Sequence, residues 1–130
     1  MSTEIKVPIS PGELIDKMTI LEIKAANISD TAKLANVKVE LQLLQETWRS
    51  SAYATTNIDA EWKQLRDVNK KLWDIEDDIR DKERERKFDQ EFIELARAVY
   101  VTNDQRAAVK RDINTRLGSK IVEEKSYAKY

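Results

Sequence analysis

Only 2 glycines and 2 prolines occur among 130 residues, so turns are few and the regular elements between them must be long. The apolar residues state what those elements are. Leu14, Met18, Leu21, Ala25 and Ile28 repeat at 4, 3, 4, 3, the spacing of one face of an α-helix. Ser10, Pro11 and Glu13 precede that run as a cap, a first helical residue and the third member of a capping box. Ile15, Ile20 and Ile23 lie outside the stripe, so apolar side chains wrap most of this first helix and predict a central position for it. A second stripe, Leu34, Val37, Leu41, Leu44 and Trp48, restarts after Ser29 or Asp30 and ends near Ser50. The polar stretch SSAYATTN then reads as a loop.

Asn57 or Asp59 is expected to cap a third helix with the seam Ile58, Trp62, Leu65, Val68, Leu72, Ile75 and Ile79. From Arg80 to Lys87 there is charge without a core face. Asp89 caps the next helix with Phe88 outside it, and Phe92, Leu95, Ala96 and Val99 form its core face. Thr102 followed by Gln105 is another capping-box pattern, where a kink or a fresh helix can fall. Val109, Ile113 and Leu117 carry the stripe to Gly118, a helix stop. The expectation is an all-α fold: one domain over residues 1–130, an antiparallel bundle of four or five helices, with an ordered core over about 10–118 and a short tail over 119–130. In the tail, Ile121, Val122, Tyr127 and Tyr130 stand among charges, a pattern that fits packing on its own domain or on a neighbouring copy in a homo-oligomer, and equally a frayed end.

Composition narrows the chemistry. Cysteine and histidine are both absent, which removes disulfides, thiolate nucleophiles and the usual zinc ligands. Any metal would have to be held by carboxylates, which suits Mg²⁺, Mn²⁺ or Ca²⁺. No haem or nucleotide-binding motif is present, and serine or threonine has no histidine to activate it. The first residues, MSTEIKVPIS, lack a basic start and an apolar core, and no apolar run approaches the ~20 residues of a membrane span, so a cytoplasmic protein is expected. A net charge of −1 says little by itself, but it conceals an asymmetry. Asp74 to Glu91 carries nine acids against five bases, and Arg97 to Lys120 carries six bases against two acids.

Two polar lines run along these charged segments. On the third helix Asn69, Trp73, Glu76, Arg80 and Glu83 fall at helical spacing beside the apolar seam, with Asp77 next to them. Glu76 and Asp77 are candidate metal ligands. On the fourth helix Asn103, Arg106, Lys110 and Asn114 share one line, and Arg97, Tyr100 and Asp104 another; two cations and two amides on one face can hold a phosphate or a carboxylate. The same spacing also describes solvated, salt-bridged helix faces, or a basic face paired with an acidic one inside the bundle. On the first helix Asp16 and Glu22 are flanked by apolar residues, and carboxylates so placed are either partnered or shifted in pKa. Nucleic acid is not an expected partner, because the basic run is short and has no interleaved aromatic platform.

The segments SPGELIDKMTILEIKAANI, LWDIEDDIR, FIELARAVYVTNDQRAAVKRDIN and GSKIVEEKSY together resemble an uncharacterised bacterial family known only as a domain of unknown function. That resemblance covers nearly the whole chain and implies a small bacterial or phage-borne cytoplasmic protein, with no catalytic residues to carry over. The all-α nucleotide pyrophosphohydrolases and the helical chorismate mutases are similar in architecture alone: the Glu-rich pattern of the first is not reproduced, and only LIDKMTILEIK has the flavour of the second. Two functional readings remain open on these grounds. One is a binding or interaction protein, oligomeric and without chemistry of its own, acting on a protein partner. The other is a site between the third and fourth helices for a small anionic metabolite, phosphorylated or carboxylated, with or without a divalent metal and enzymatic turnover. In the second, Glu76 and Asp77 would hold the metal, and Asn69, Trp73, Arg80, Arg97, Tyr100, Asn103, Arg106 and Lys110 would line the site.

Overall fold

The computed structural model describes residues 3–130. Among them are four helices and no strand: α1 (Pro11–Asn27), α2 (Thr31–Arg49), α3 (Asp59–Glu85) and α4 (Gln90–Leu117). Local chemistry sets most of their ends. The Ser10 hydroxyl accepts the Glu13 N–H at 3.2 Å, Asp30 accepts Lys33 N–H at 2.9 Å and Asp89 accepts Phe92 N–H at 3.0 Å. Gly118 adopts φ 67° and closes α4 in the left-handed geometry that a residue without Cβ takes at least strain. Two boundaries depart from the sequence expectation. Ile58 rather than Asn57 or Asp59 holds the N-cap position of α3, with its own side chain drawn into the core; Asn57, one residue earlier, still accepts the first N–H of the helix, that of Asp59, at 3.1 Å through its Oδ1. The Thr102–Gln105 pattern neither breaks nor kinks the chain into a new element: α4 runs unbroken through it, with Thr102 facing inward at 1% exposure.

α1 packs against each of the other three helices, as its wrapping of apolar residues predicts, and nine of its seventeen residues are buried. α3 lies along α4, while α2 lies along α1 and meets α3 through Trp48, whose ring is edge-on to Trp62 at 5.7 Å. Direction follows from the paired residues. Along α1 the sequence Gly12, Glu13, Asp16 meets Asn114, Lys110, Arg106, so α1 and α4 are antiparallel. Glu61–Arg116 near one end and Lys82–Glu91 at the other make α3 and α4 antiparallel as well. α1 and α3 therefore run in the same sense and flank α4.

The driest part of the interior is Ile15, Ile58, Leu65 and Ile113, with Trp48, Trp62, Val109 and Leu117 packed around it. It occupies the end of the bundle where α1 and α3 begin and α4 finishes. The charged stretch after Arg80 stays helical to Glu85, and Lys82 bridges the α3–α4 turn to Asp89 at 3.0 Å and Glu91 at 2.8 Å. No helix among the described residues is long and apolar enough to cross a membrane.

Candidate functional site

Directly after Ile15 of the dry core, on the line of α1 that continues through Ile20 and Ile23, stands Asp16. Its side chain is 1% exposed, and an unpartnered carboxylate there would be prohibitively costly. Two groups answer it, and a third braces them. Arg106 of α4 forms a two-pronged ion pair: Nε donates to Oδ1 at 2.8 Å and Nη2 donates to Oδ2. The Asn69 amide of α3 donates to Asp16 Oδ1 and to Thr19 Oγ1, each at 2.9 Å. The Thr19 hydroxyl in turn donates to the Asp16 carbonyl at 2.8 Å. This network joins three helices through one carboxylate. Burial alone would raise the Asp16 pKa; the hydrogen bonds from Arg106 and Asn69 and the charges of Arg106 and Lys110 overcome it and hold the carboxyl below the ordinary carboxylate range. The Arg106 guanidinium is held above its ordinary value chiefly by the bond to Asp16.

The same line of α4 continues the pairing downward. Lys110 is buried, and burial would lower its pKa, but Glu13 at 2.6 Å and Glu123 at 2.9 Å raise it above the ordinary lysine value. The Asn114 Oδ1 accepts the Gly12 N–H at 2.7 Å. Gly12 is needed there for close approach: a Cβ at this position would sit 2.6 Å from the Lys110 carbonyl oxygen and 2.8 Å from Asn114 Oδ1.

Above the Asp16–Arg106 pair the helices part and leave a groove of about 580 Å³. Its walls are Ile20 and Ile23 of α1, Asn69, Leu72, Trp73, Glu76, Asp77 and Arg80 of α3, and Asn103 and Arg106 of α4. Seven of the ten sequence-predicted site residues thus meet around one concavity: Asn69, Trp73, Glu76, Asp77, Arg80, Asn103 and Arg106. Three do not. Lys110 lies on the far side of the Asp16–Arg106 pair. Tyr100 points away, with its ring 5.1 Å from that of Tyr130, and Arg97 is exposed outside the groove. Within the groove, Glu76 is bonded to Arg80 at 3.2 Å one turn along α3, an exposed pair that a competing anion can open at little cost. Glu76 and Asp77 are consecutive and diverge by about 100° around the helix axis. No group of three or more acidic side chains able to hold a metal forms among the described residues.

Spacing alone did not identify Thr19 as a member of the site, nor Asp16 as the group that fixes Arg106. The available signal was the acid itself, set between apolar positions of a helix that is otherwise buried. Neither curated proteins nor solved structures give a match to the chain. A family match does cover it from residue 5 to residue 130, nearly its whole length. The chain belongs to the family described as Family of unknown function (DUF6165).

Proposed function

We propose that this protein binds a small carboxylated metabolite in the groove between α1, α3 and α4. The observation that carries this reading is the convergence of two separate polar lines, one from α3 and one from α4, on a single concavity of about 580 Å³, a volume suited to a metabolite. Leu72, Ile20, Ile23 and the Trp73 ring offer a surface for an apolar or aromatic body. Arg80, the Asn103 amide and the Arg106 Nη1 group, none of which is committed to a buried partner, offer donors to an anion.

Charge balance favours a carboxylate over a multiply charged phosphate. Arg106 is already neutralised by Asp16, and Arg80 faces Glu76 and Asp77, so the groove holds no excess positive charge. A monoanion satisfies the donors, and a zwitterion can also place its ammonium on Asp77. A dianion would require Mg²⁺ or Mn²⁺ to be brought in against Glu76 and Asp77.

The test is thermal melting and calorimetric titration with aromatic and aliphatic carboxylates, amino acids and sugar phosphates, each with and without Mg²⁺ or Mn²⁺. A ligand at 100 times its Kd adds about 2.7 kcal/mol, which for 130 residues raises Tm by roughly 10 °C. The expected result is a saturable shift with a carboxylate, weakened at least tenfold in Arg80→Ala and in Asn103→Ala while the ligand-free Tm of both stays near wild type. Equal binding by wild type and both variants would refute the assignment, as would the absence of any saturable shift or change in tryptophan fluorescence across the panel.

A further inference from the structure

The tail leaves α4 at Gly118 and turns at once: Ser119 Oγ accepts the Ile121 N–H at 3.2 Å and donates to the Ile121 carbonyl at 2.9 Å. It then runs back along α4 toward the N-terminal end of that helix. Glu123 reaches Lys110 at 2.9 Å, Glu124 lies 3.7 Å from Arg111, and the Tyr130 hydroxyl donates to Asp104 while its ring meets Tyr100 edge-on at 5.1 Å. Lys110 to Asp104 is about 9 Å of helix, whereas the eight residues from Glu123 to Tyr130 can span more than about 20 Å, so the tail arches. Two cavities lie beneath the arch, of about 250 Å³ over Ala107 and Ala108 and about 500 Å³ beside Tyr100.

Three properties of this attachment belong together. From Ile121 to Tyr130 the tail holds α4 by side chains, with one long contact from Arg111 to the Glu123 carbonyl as the sole backbone participation among the described residues. Every residue from Lys120 to Tyr130 is exposed, so the tail contributes nothing to the core. The face beneath it is chemically marked, with cations at Lys110 and Arg111, two alanines, then an acid and an aromatic ring at Asp104 and Tyr100. An extended segment held by charge and one ring, over a face of small residues, is displaceable by another segment of the same chemistry.

We propose that the α4 face formed by Tyr100, Asp104, Ala107, Lys110 and Arg111 is a docking surface for an extended acidic peptide of a partner protein, one carrying paired glutamates followed by a tyrosine, and that the tail occupies this surface in its absence. The peptide's glutamates take Lys110 and Arg111, and its tyrosine takes Asp104 and the edge of Tyr100. A tethered tail has an effective concentration in the millimolar range, so it suppresses weak competitors and admits only a peptide that binds more tightly. No residue that lines this surface also lines the groove.

The experiment uses a fluorescein-labelled synthetic peptide of residues 119–130, added in trans to the full chain and followed by anisotropy at low and moderate salt. The receptor is compared as wild type and as a Glu123→Gln/Glu124→Gln/Tyr130→Ala variant, whose changes fall on exposed residues and whose helicity is checked by circular dichroism. The expected result is binding at least tenfold tighter to the variant than to wild type. That binding is lost when Arg111→Glu is added to the variant and regained by a peptide carrying Glu124→Lys. Equal affinity for both receptors, no binding to the tail variant, or binding indifferent to Arg111→Glu would each overturn the proposal.

Discussion

Replacing Arg106 by methionine removes the two-pronged partner of a carboxylate that is almost wholly enclosed, and its consequence can be worked out from the geometry. Methionine keeps the aliphatic length of the side chain, so the packing loss is small, and Asp16 is left with the single Asn69 hydrogen bond at 2.9 Å. Breaking a buried ion pair from one side costs about 3–5 kcal/mol. Arg106 is 30% exposed, so water from the groove can reach part of the space it leaves, which places this site near 3 kcal/mol. With about 2.1 cal/mol/K of unfolding entropy per residue over 130 residues, that is a fall in Tm of roughly 11 °C. The sign of the pH dependence is the sharper test. In the wild type the Asp16 pKa is lowered, so its contribution is fully present above the unfolded value of about 3.9 and is lost as pH falls through the folded value. In Arg106→Met burial is opposed only by the Asn69 hydrogen bond and the Lys110 charge, and the folded pKa is expected to rise above the unfolded one. The deficit relative to wild type is then greatest at neutral pH and shrinks toward pH 4 as Asp16 takes up a proton. Urea unfolding of both proteins from pH 4 to pH 8 measures this directly. An Asp16→Leu/Arg106→Met protein, with both charges gone and Asn69 still bonded to Thr19, should recover most of the loss. A deficit below about 1 kcal/mol at pH 7, or one that does not change with pH, would refute the account of Asp16 as a buried charge sustained by Arg106.

The two glycines should respond differently to alanine. Gly12→Ala drives a Cβ against the Lys110 backbone oxygen and the Asn114 amide, and should lower stability by about 2–3 kcal/mol in thermal or urea melts. Gly118→Ala meets nothing within 4 Å and bears only the left-handed strain at φ 67°, about 1 kcal/mol, so equal losses at the two positions would contradict the close-approach argument. Thr102→Val should stabilise, because the Thr102 hydroxyl is buried without a partner and valine keeps its shape; a gain of about 1 kcal/mol, or roughly 3–4 °C in Tm, is expected, and a loss would mean that the hydroxyl has a partner in solution.

The fold was legible where a single helix carries its own information. The 3.6-residue period of the stripes set the four helices, and Ser10, Asp30, Asp89 and Gly118 terminated them through bonds to residues three or four positions away. It was less legible where a distant residue decides. Ile58 begins α3 because Ile15, Leu65 and Ile113 bury it, and no pattern local to Asn57 or Asp59 contains that fact. Thr102 and Gln105 match a capping box, yet Thr102 lies on the inner face of α4, and starting a helix there would unpack the seam on both sides of it.

The candidate site shows the same division in its charges. Asn103, Arg106, Lys110 and Asn114 stand on one line of α4, and counted along that helix they resemble a cradle for an anion. α1 crosses that line and claims most of it: Asn114 serves Gly12, Lys110 serves Glu13 and Arg106 serves Asp16. Those counter-charges are about ninety residues or more away in sequence, so spacing reveals the face a residue occupies but not the acid opposite it. The crossing also sorts the line by height. Lys110 lies one turn, about 6 Å, below Arg106, and the Asp16 pair stands between it and the groove. Asn103, one turn above, is left facing the open space with its amide uncommitted. The anion-binding capacity read from α4 alone therefore shrinks on folding to one amide, the free edge of one neutralised guanidinium, and Arg80 from the facing helix. A groove with that remainder selects a singly charged ligand by shape and hydrogen bonding, and moderate salt should weaken its binding far less than it weakens the acidic peptide on the adjoining face of α4.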